Sequence, residues 1–505
     1  MTISSRASTG VRPTPTSGGP LDRFFKLAAH GTNVRTEVTA GLTTFMVMAY
    51  IVFVNPTILG FTAVPDLQPR GLPFGATLTA TALVAGVMTI LMGLVTNRAF
   101  AMASGMGLNA FVAFTLVGQL GLTFPEAMGV IVIEGVIILI LTQTNFRQAI
   151  MYAFPTELKR AIAVGIGLFI AFIGLVNAGF VAPGPNPSQP VQLGNLAGFP
   201  VLVFMFGLLV TVLLRAAGPR LHPILGAGYL LIGILLTTLF ATAINSTFAQ
   251  SAFPIPGVAR WPENLVGLPD FSTLFDVDLL GVFIKLGVIT AVLTIFSVML
   301  SDFFDTMGTL VGVGSKAGYL DRHGNFPDVK RPLLVDSLGA IAGGAASASS
   351  ATTYIESAAG VEAGGRTGLA SVVTGICFLL MMFLSPIAGV IPAQATAPAL
   401  VLVGWMMMTT LAESEEMADH TEGTATAPRA GIAFSNFEVG FPAAATILVM
   451  PFTYSITNGI GAGVVLYTLI QLFVGKGRRV HPMLYVVSAA FVLYFLEDFL
   501  QPYIT

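Results

Sequence analysis

Charge is scarce in this chain. Lys, Arg, Asp and Glu make up 10% of the residues, against about 25% in soluble domains. A water-soluble fold is therefore excluded. The little charge present nearly cancels, at −2 net, which leaves no electrostatic footprint for nucleic acid or an acidic polymer. Cysteine is all but missing. Cys377 lies in an apolar run, cannot form an intrachain disulfide, and would need further ligands for metal or redox work, so a small buried apolar role fits it best. No phosphate-binding GxxxxGK[ST] loop occurs, which disfavours ATP-driven transport. Gly312 to Gly318 is glycine-rich but lacks that spacing. No Ser-His-acid or Cys-His arrangement is placed for nucleophilic catalysis; His222 and His481 flank prolines at membrane edges, where they cap or anchor. The chain is read as no enzyme.

What is abundant points to a membrane. Apolar residues make up 54%, with 55 glycines and 30 prolines, a composition tolerated between packed spanning helices and at broken ones. Residues 1–35 are polar and basic and read as a cytosolic tail ending in an amphipathic piece, Leu21 to His30. No cleavable signal peptide is read there, so the first span serves as an anchor. Apolar runs predict spans near 37–59, 75–95, 99–120, 125–143, 161–176, 198–214 and 223–244. A second set lies near 287–312, 333–346, 348–364, 368–390, 397–411, 441–456 and 458–475. Arg98, Arg147, Lys159, Arg160, Arg215, Arg220, Lys316, Arg322, Lys330, Arg331, Lys476, Arg478 and Arg479 fall on alternate loops, which places the N-terminus in the cytosol. Met483 to Leu496 is one crossing too many for that count and reads as an extra crossing or an interfacial helix. Residues 412–436 read as a polar cytosolic insertion.

Asp302 and Asp305 stand mid-way along an oily run, three residues apart, on one helix face. An acid at that depth costs roughly 3 kcal/mol or more by insertion scales. The pair suits a proton carrier, acceptors for a ligand rich in N–H groups, or a structural hydrogen-bonded pair between helices. Two other runs are too polar for ordinary spans. Ala99 to Phe111 and Gly343 to Gly360 are dense in Gly, Ala and Ser, and each carries a polar side chain at depth, Asn109 in one and Glu356 in the other. Such segments suit broken helices meeting at the midplane. They are the third and tenth runs, and the carboxylate run is the eighth, so an offset of seven relates the halves. The predicted fold is an all-α polytopic membrane protein of about fourteen spans in 7+7 inverted repeats. Asn109, Asp302, Asp305, Thr306, Thr352, Thr353 and Glu356 form the polar set at depth. It includes no His or Cys, so no transition-metal site is expected, although its oxygens suit sodium. A flat heterocycle with ring N–H and amino groups would satisfy these acceptors, with Phe111, Phe303, Phe304 or Tyr354 available to stack on it.

Thr352 to Gly360 followed by Gly364-Gly365-Arg366-Thr367-Gly368, Asp302 to Leu310, Gly105 to Ala110, Thr43 to Ile51 and Asn55-Pro56 stand in order along the chain. In these motifs, and over about residues 21–500, the sequence resembles the AzgA-like adenine, guanine and hypoxanthine permeases of the nucleobase–cation symporter-2 (nucleobase–ascorbate transporter) superfamily. The resemblance implies a core domain from 36–143 and 280–392, a gate domain from 144–245 and 393–505, and a homodimer formed through the gate in the cell membrane. It implies import of purine nucleobases by proton symport, with the proton as coupling ion and no other cofactor. Sodium coupling, or anion exchange on the same fold, is the alternative. By the same resemblance Asn109, Asp302 and Glu356 are tied to purine recognition, and Asp305 matches a second important acid of the same helix. With Thr352 and Thr353 added from the polar set as binding candidates, the expected proton-coupling groups are Asp302, Asp305 and Glu356. Two departures stand out: Ser104 replaces the usual proline before Gly105, and Glu362 stands where a small residue is common.

Overall fold

A computed structural model describes residues 19–62, 64, 66–143, 154–186, 189–221, 226–247, 258–262, 264–319, 326, 328–409 and 431–504. The N-terminal tail to residue 18, Arg147, Arg322 and most of the 412–436 insertion lie outside them.

The described chain is built from apolar helices. The first half has α1 (Val34–Leu59), α2 (Phe74–Thr96), strand β1 (Met102–Ser104), α3 (Met106–Gln119), α4 (Phe124–Gln143) and α5 (Thr156–Asn177). A hairpin of β2 (Val181–Asn186) and β3 (Gln189–Leu193) leads to α6 (Phe199–Leu221) and α7 (Tyr229–Thr247). The second half has α8 (Val288–Ala317), α9 (Lys330–Ala345), strand β4 (Ala351–Thr353), α10 (Ser357–Glu362) and α11 (Gly368–Met381). It ends with α12 (Ala393–Met408), α13 (Phe437–Thr453), α14 (Ile456–Phe473) and α15 (Pro482–Ile504). Among the described residues nine helices are long and apolar enough to cross a membrane, and four shorter apolar helices accompany them. The chain is an all-α polytopic membrane protein. The last apolar run is a continuous helix, α15, which packs on α14 and touches α8.

Packing follows the offset of seven. The pair α2–α11 has its counterpart in α9–α4, α1–α11 in α8–α4, α1–α10 in α8–α3, α5–α13 in α12–α6, and α6–α7 in α13–α14. Glycine makes the closest of these approaches possible. A Cβ on Gly375 of α11 would lie 2.5 Å from the Gly86 carbonyl oxygen of α2. A Cβ on Gly404 of α12 would strike the carbonyl oxygen of Gly167 on α5. Without an exclusion of water to drive helices together in lipid, such backbone proximity supplies the van der Waals contact.

Buried polar anchors fix the helix ends near the Arg98 side. Glu37 of α1 is wholly buried and accepts from the backbone N–H groups of Arg366 at 2.8 Å and of Thr367 and Ala370 at 3.3 Å. It therefore satisfies the free donors at the start of α11. Asn97 adds a bond from the Gly368 N–H at 3.0 Å and donates to the Phe25 carbonyl at 2.8 Å, which ties down the amphipathic N-terminal piece. Glu362, unaccounted for in the sequence, ion-pairs with Lys316 at 3.2 Å.

Candidate functional site

The third and tenth runs meet backbone to backbone. β1 and β4 pair antiparallel in the register Met102↔Thr353, Ala103↔Thr352, Ser104↔Ala351. The ladder extends on both sides, from the Gly105 N–H to the Ser350 carbonyl at 2.8 Å and from the Tyr354 N–H to the Ala101 carbonyl at 2.9 Å. Backbone at membrane depth must find partners within the protein. Here each extended piece satisfies the other, and Ala, Ser and Gly let the strands come close. Ser347 and Ser349 lead into β4 with φ of 57° and 66°, a left-handed conformation that costs a non-glycine residue about 1 kcal/mol. Each strand then turns into a helix: β1 into α3, π-wound over Phe111–Gln119, and β4 into the short α10.

All the acids and amides expected at depth collect around this crossing. Asn109 on α3 is fully buried; its side-chain nitrogen reaches only the Ser104 carbonyl at 3.5 Å, and its oxygen has no partner among the described residues. Glu356, at the N-cap of α10, is buried and accepts from the Tyr50 hydroxyl of α1 at 2.8 Å. Tyr354, one of the proposed stacking rings, instead donates its hydroxyl to the Ser104 carbonyl at 2.5 Å and stitches the two strands together. Asp302 on α8 is buried and accepts from the Ser350 hydroxyl at 3.4 Å. Asp305, one turn on, is half-buried and lies within electrostatic reach of Glu356 and Asp336. Nothing is described of the Phe304 side chain.

Asp336 on α9 is the residue the sequence reading missed. It is buried and accepts from the Thr353 N–H at 3.0 Å, the Thr353 hydroxyl at 3.1 Å, the Thr352 hydroxyl at 3.4 Å and the Thr306 hydroxyl at 2.7 Å. The Thr306 and Thr352 hydroxyls lie 2.7 Å apart, so with Thr306 donating to Asp336 the single Thr352 proton is shared between Thr306 and Asp336. The two β4 threonines thus face an acid of their own protein. Glu134, mid-way along α4, is a second buried acid that was not singled out. Both obey the rule that drew attention to Asp302, an ionisable side chain inside an apolar run. Tyr50 carried no such signal, since a lone aromatic in a span is usually packing.

The chain that carries this crossing has relatives in sequence and, more distantly, in fold. The sequence matches the Xan_ur_permease family, described as a permease family, over residues 35–424. The chain belongs to this permease family. It is 39% identical to the adenine permease AdeP of Escherichia coli (strain K12) over 481 residues, which span 95% of this chain and 97% of AdeP. It is also 39% identical to the guanine/hypoxanthine permease PbuG of Bacillus subtilis (strain 168), over 94% of this chain and 99% of PbuG. Among solved structures, the transmembrane domain of the cyanobacterial bicarbonate transporter BicA aligns with a TM-score of 0.55 at 14% identity, covering 85% of this chain and 97% of that domain. SLC26A9 aligns at 0.56 and 13% identity, over 87% of this chain and 65% of its own. These two likenesses establish the fold. The permease is a transporter and not an enzyme, and it is a multi-pass membrane protein.

Proposed function

We propose that this permease imports purine nucleobases by proton symport. The observation that carries the reading is the pair of acceptors at the strand crossing: the unpartnered oxygen of Asn109, and Glu356 with one oxygen fixed by Tyr50. Acceptors alone call for a ligand that donates, and a purine base presents ring N–H and amino groups. AdeP and PbuG, named for adenine and for guanine and hypoxanthine, support the same substrate class. In this reading Asn109 and Glu356 hold the base, Asp302 and Asp305 handle the proton, and Asp336 holds Thr352 and Thr353 so that β4 keeps its shape. Protonation neutralises the loaded site, which lets it pass an apolar surface that an empty charged site crosses less readily.

The remaining organisation follows the same reading. Helices α1–α4 and α8–α11 form a core and α5–α7 and α12–α14 a gate, with a homodimer through the gate, in the cell membrane and with the N-terminus in the cytosol. The buried carboxylates disfavour the anion-exchange alternative, because an anion would meet like charge. The test is uptake of radiolabelled adenine, guanine, hypoxanthine and uracil in proteoliposomes under separate inward proton and sodium gradients. Purine accumulation on the proton gradient alone is expected. Accumulation that follows sodium, or anion flux without purine uptake, refutes the coupling or the substrate class respectively.

A further inference from the structure

Glu134 has no part in the purine site, yet its placement calls for an explanation. It is 0% exposed, near the middle of α4, and neither carboxylate oxygen has a well-formed hydrogen bond among the described residues. A buried carboxylate in that condition, if charged, is among the most costly arrangements a protein interior can hold.

Lys316 of α8 pairs with Glu362 and Arg331 of α9 with Asp328, and among the described residues no cation from the elements packed on α4 is placed against Glu134. From α9 it meets Asp336, and from the stretch before β4 it meets Ser350, which approaches without completing a bond of good geometry. The same Ser350 hydroxyl donates to Asp302 of α8 at 3.4 Å. The π-wound segment of α3, Phe111–Gln119, contains no titratable residue. Lys285, on the short helix Gly281–Leu286, pairs with Glu126 at 3.3 Å, about two turns along α4 from Glu134. Glu134 therefore faces acids and a hydroxyl.

We propose that Glu134 is a second station for the coupling proton, exchanging with Asp302 through the Ser350 hydroxyl. In the transfer, the O–H bond on Asp302 breaks as one forms at Ser350 Oγ, and the original Ser350 O–H breaks as one forms on Glu134. One proton moves and negative charge moves the opposite way. A proton needs a single oxygen at each station, whereas a hard cation needs several converging ones. The relay is built into the crossing, because the Ser350 carbonyl accepts from Gly105 at 2.8 Å at the end of the β1–β4 ladder. Any displacement of this ladder relative to α4 thus changes the distance the proton must jump.

The inference rests on the proton-symport reading, and the test separates the two. Wild-type, Glu134→Gln and Ser350→Ala proteins are reconstituted full-length, with the membrane potential clamped at zero and an inward pH gradient of one unit. Adenine and hypoxanthine serve as probes. For a neutral base and one proton, the wild type accumulates about tenfold, the factor that one pH unit supplies. Glu134→Gln is expected to fall to a ratio of about 1 and Ser350→Ala to lie between. Purine exchange at equal pH on both sides is expected to stay within about twofold of wild type in both variants, and in Glu134→Gln to lose its pH dependence. A Glu134→Gln protein that builds the wild-type gradient overturns the relay alone. So does one that loses exchange along with accumulation, since that marks a structural or binding role. Should Glu134→Gln fail to fold, wild-type accumulation by Ser350→Ala overturns the relay. A wild type that accumulates purine on sodium alone overturns the symport reading and the relay with it.

Discussion

The two interrupted segments share a backbone design and differ in their side chains. β1 and α3 carry no ionisable residue from Ala99 to Gln119; their buried polar side chains are Ser104, Asn109 and Thr115. β4 and α10 carry Thr352, Thr353 and Glu356, and β4 is held from behind by Asp336. The neutral segment needs only its ladder and small residues. The acid-bearing one also needs a buried carboxylate to organise its strand and a tyrosine from α1 to orient its own acid. Small residues build the crossing, and the ionisable chemistry is concentrated on one of its two arms.

Substitutions on either arm test that asymmetry. The largest effect is expected on the charged arm: Glu356→Gln keeps the shape and the Tyr50 contact but removes the charge, and purine uptake should drop by about 100-fold, ~2.7 kcal/mol, with normal amounts of protein in the membrane. Uptake at the wild-type rate would equalise the arms and remove Glu356 from the site. Next comes its support. Asp336→Asn cannot accept every bond from Thr306, Thr352 and Thr353, and the loss of charge-assisted bonding should lower stability by about 2 kcal/mol, visible as an earlier thermal transition in detergent. An unchanged transition would show that β4 does not depend on α9. On the neutral arm, Asn109→Ala should raise the KM for purine about tenfold, ~1.4 kcal/mol, with a smaller change in kcat; an unchanged KM would leave recognition to the tenth segment alone. Smallest is Glu362→Ala just beyond the crossing, where the exposed pair with Lys316 is lost. Exposed pairs contribute little, so uptake and the thermal transition should stay as they are.

Much of this was legible in the residues. The interrupted segments betrayed themselves by runs of Gly, Ala and Ser too polar for an ordinary span, and Asn109, Asp302 and Glu356 by their depth in oil. Asp336 and Glu134 carry the same mark, but neither has an acid three or four residues away, the spacing that made Asp302 and Asp305 conspicuous. The direction in which Thr352 and Thr353 point could not be read, because both faces of a two-stranded crossing are buried and alternation loses its meaning. Tyr50 was hidden for another reason: whether a buried phenol packs or donates depends on a partner 306 residues away.

The ladder between β1 and β4 has one more consequence. Its few backbone bonds are buried inside the protein, where a broken partner is not readily replaced, and Tyr354 adds a cross-stitch from its own strand to the other. The two strands are therefore tied to each other by backbone and side chain alike. Parting them would leave donors and acceptors of both strands unpaired inside the protein, a cost that the intact ladder avoids.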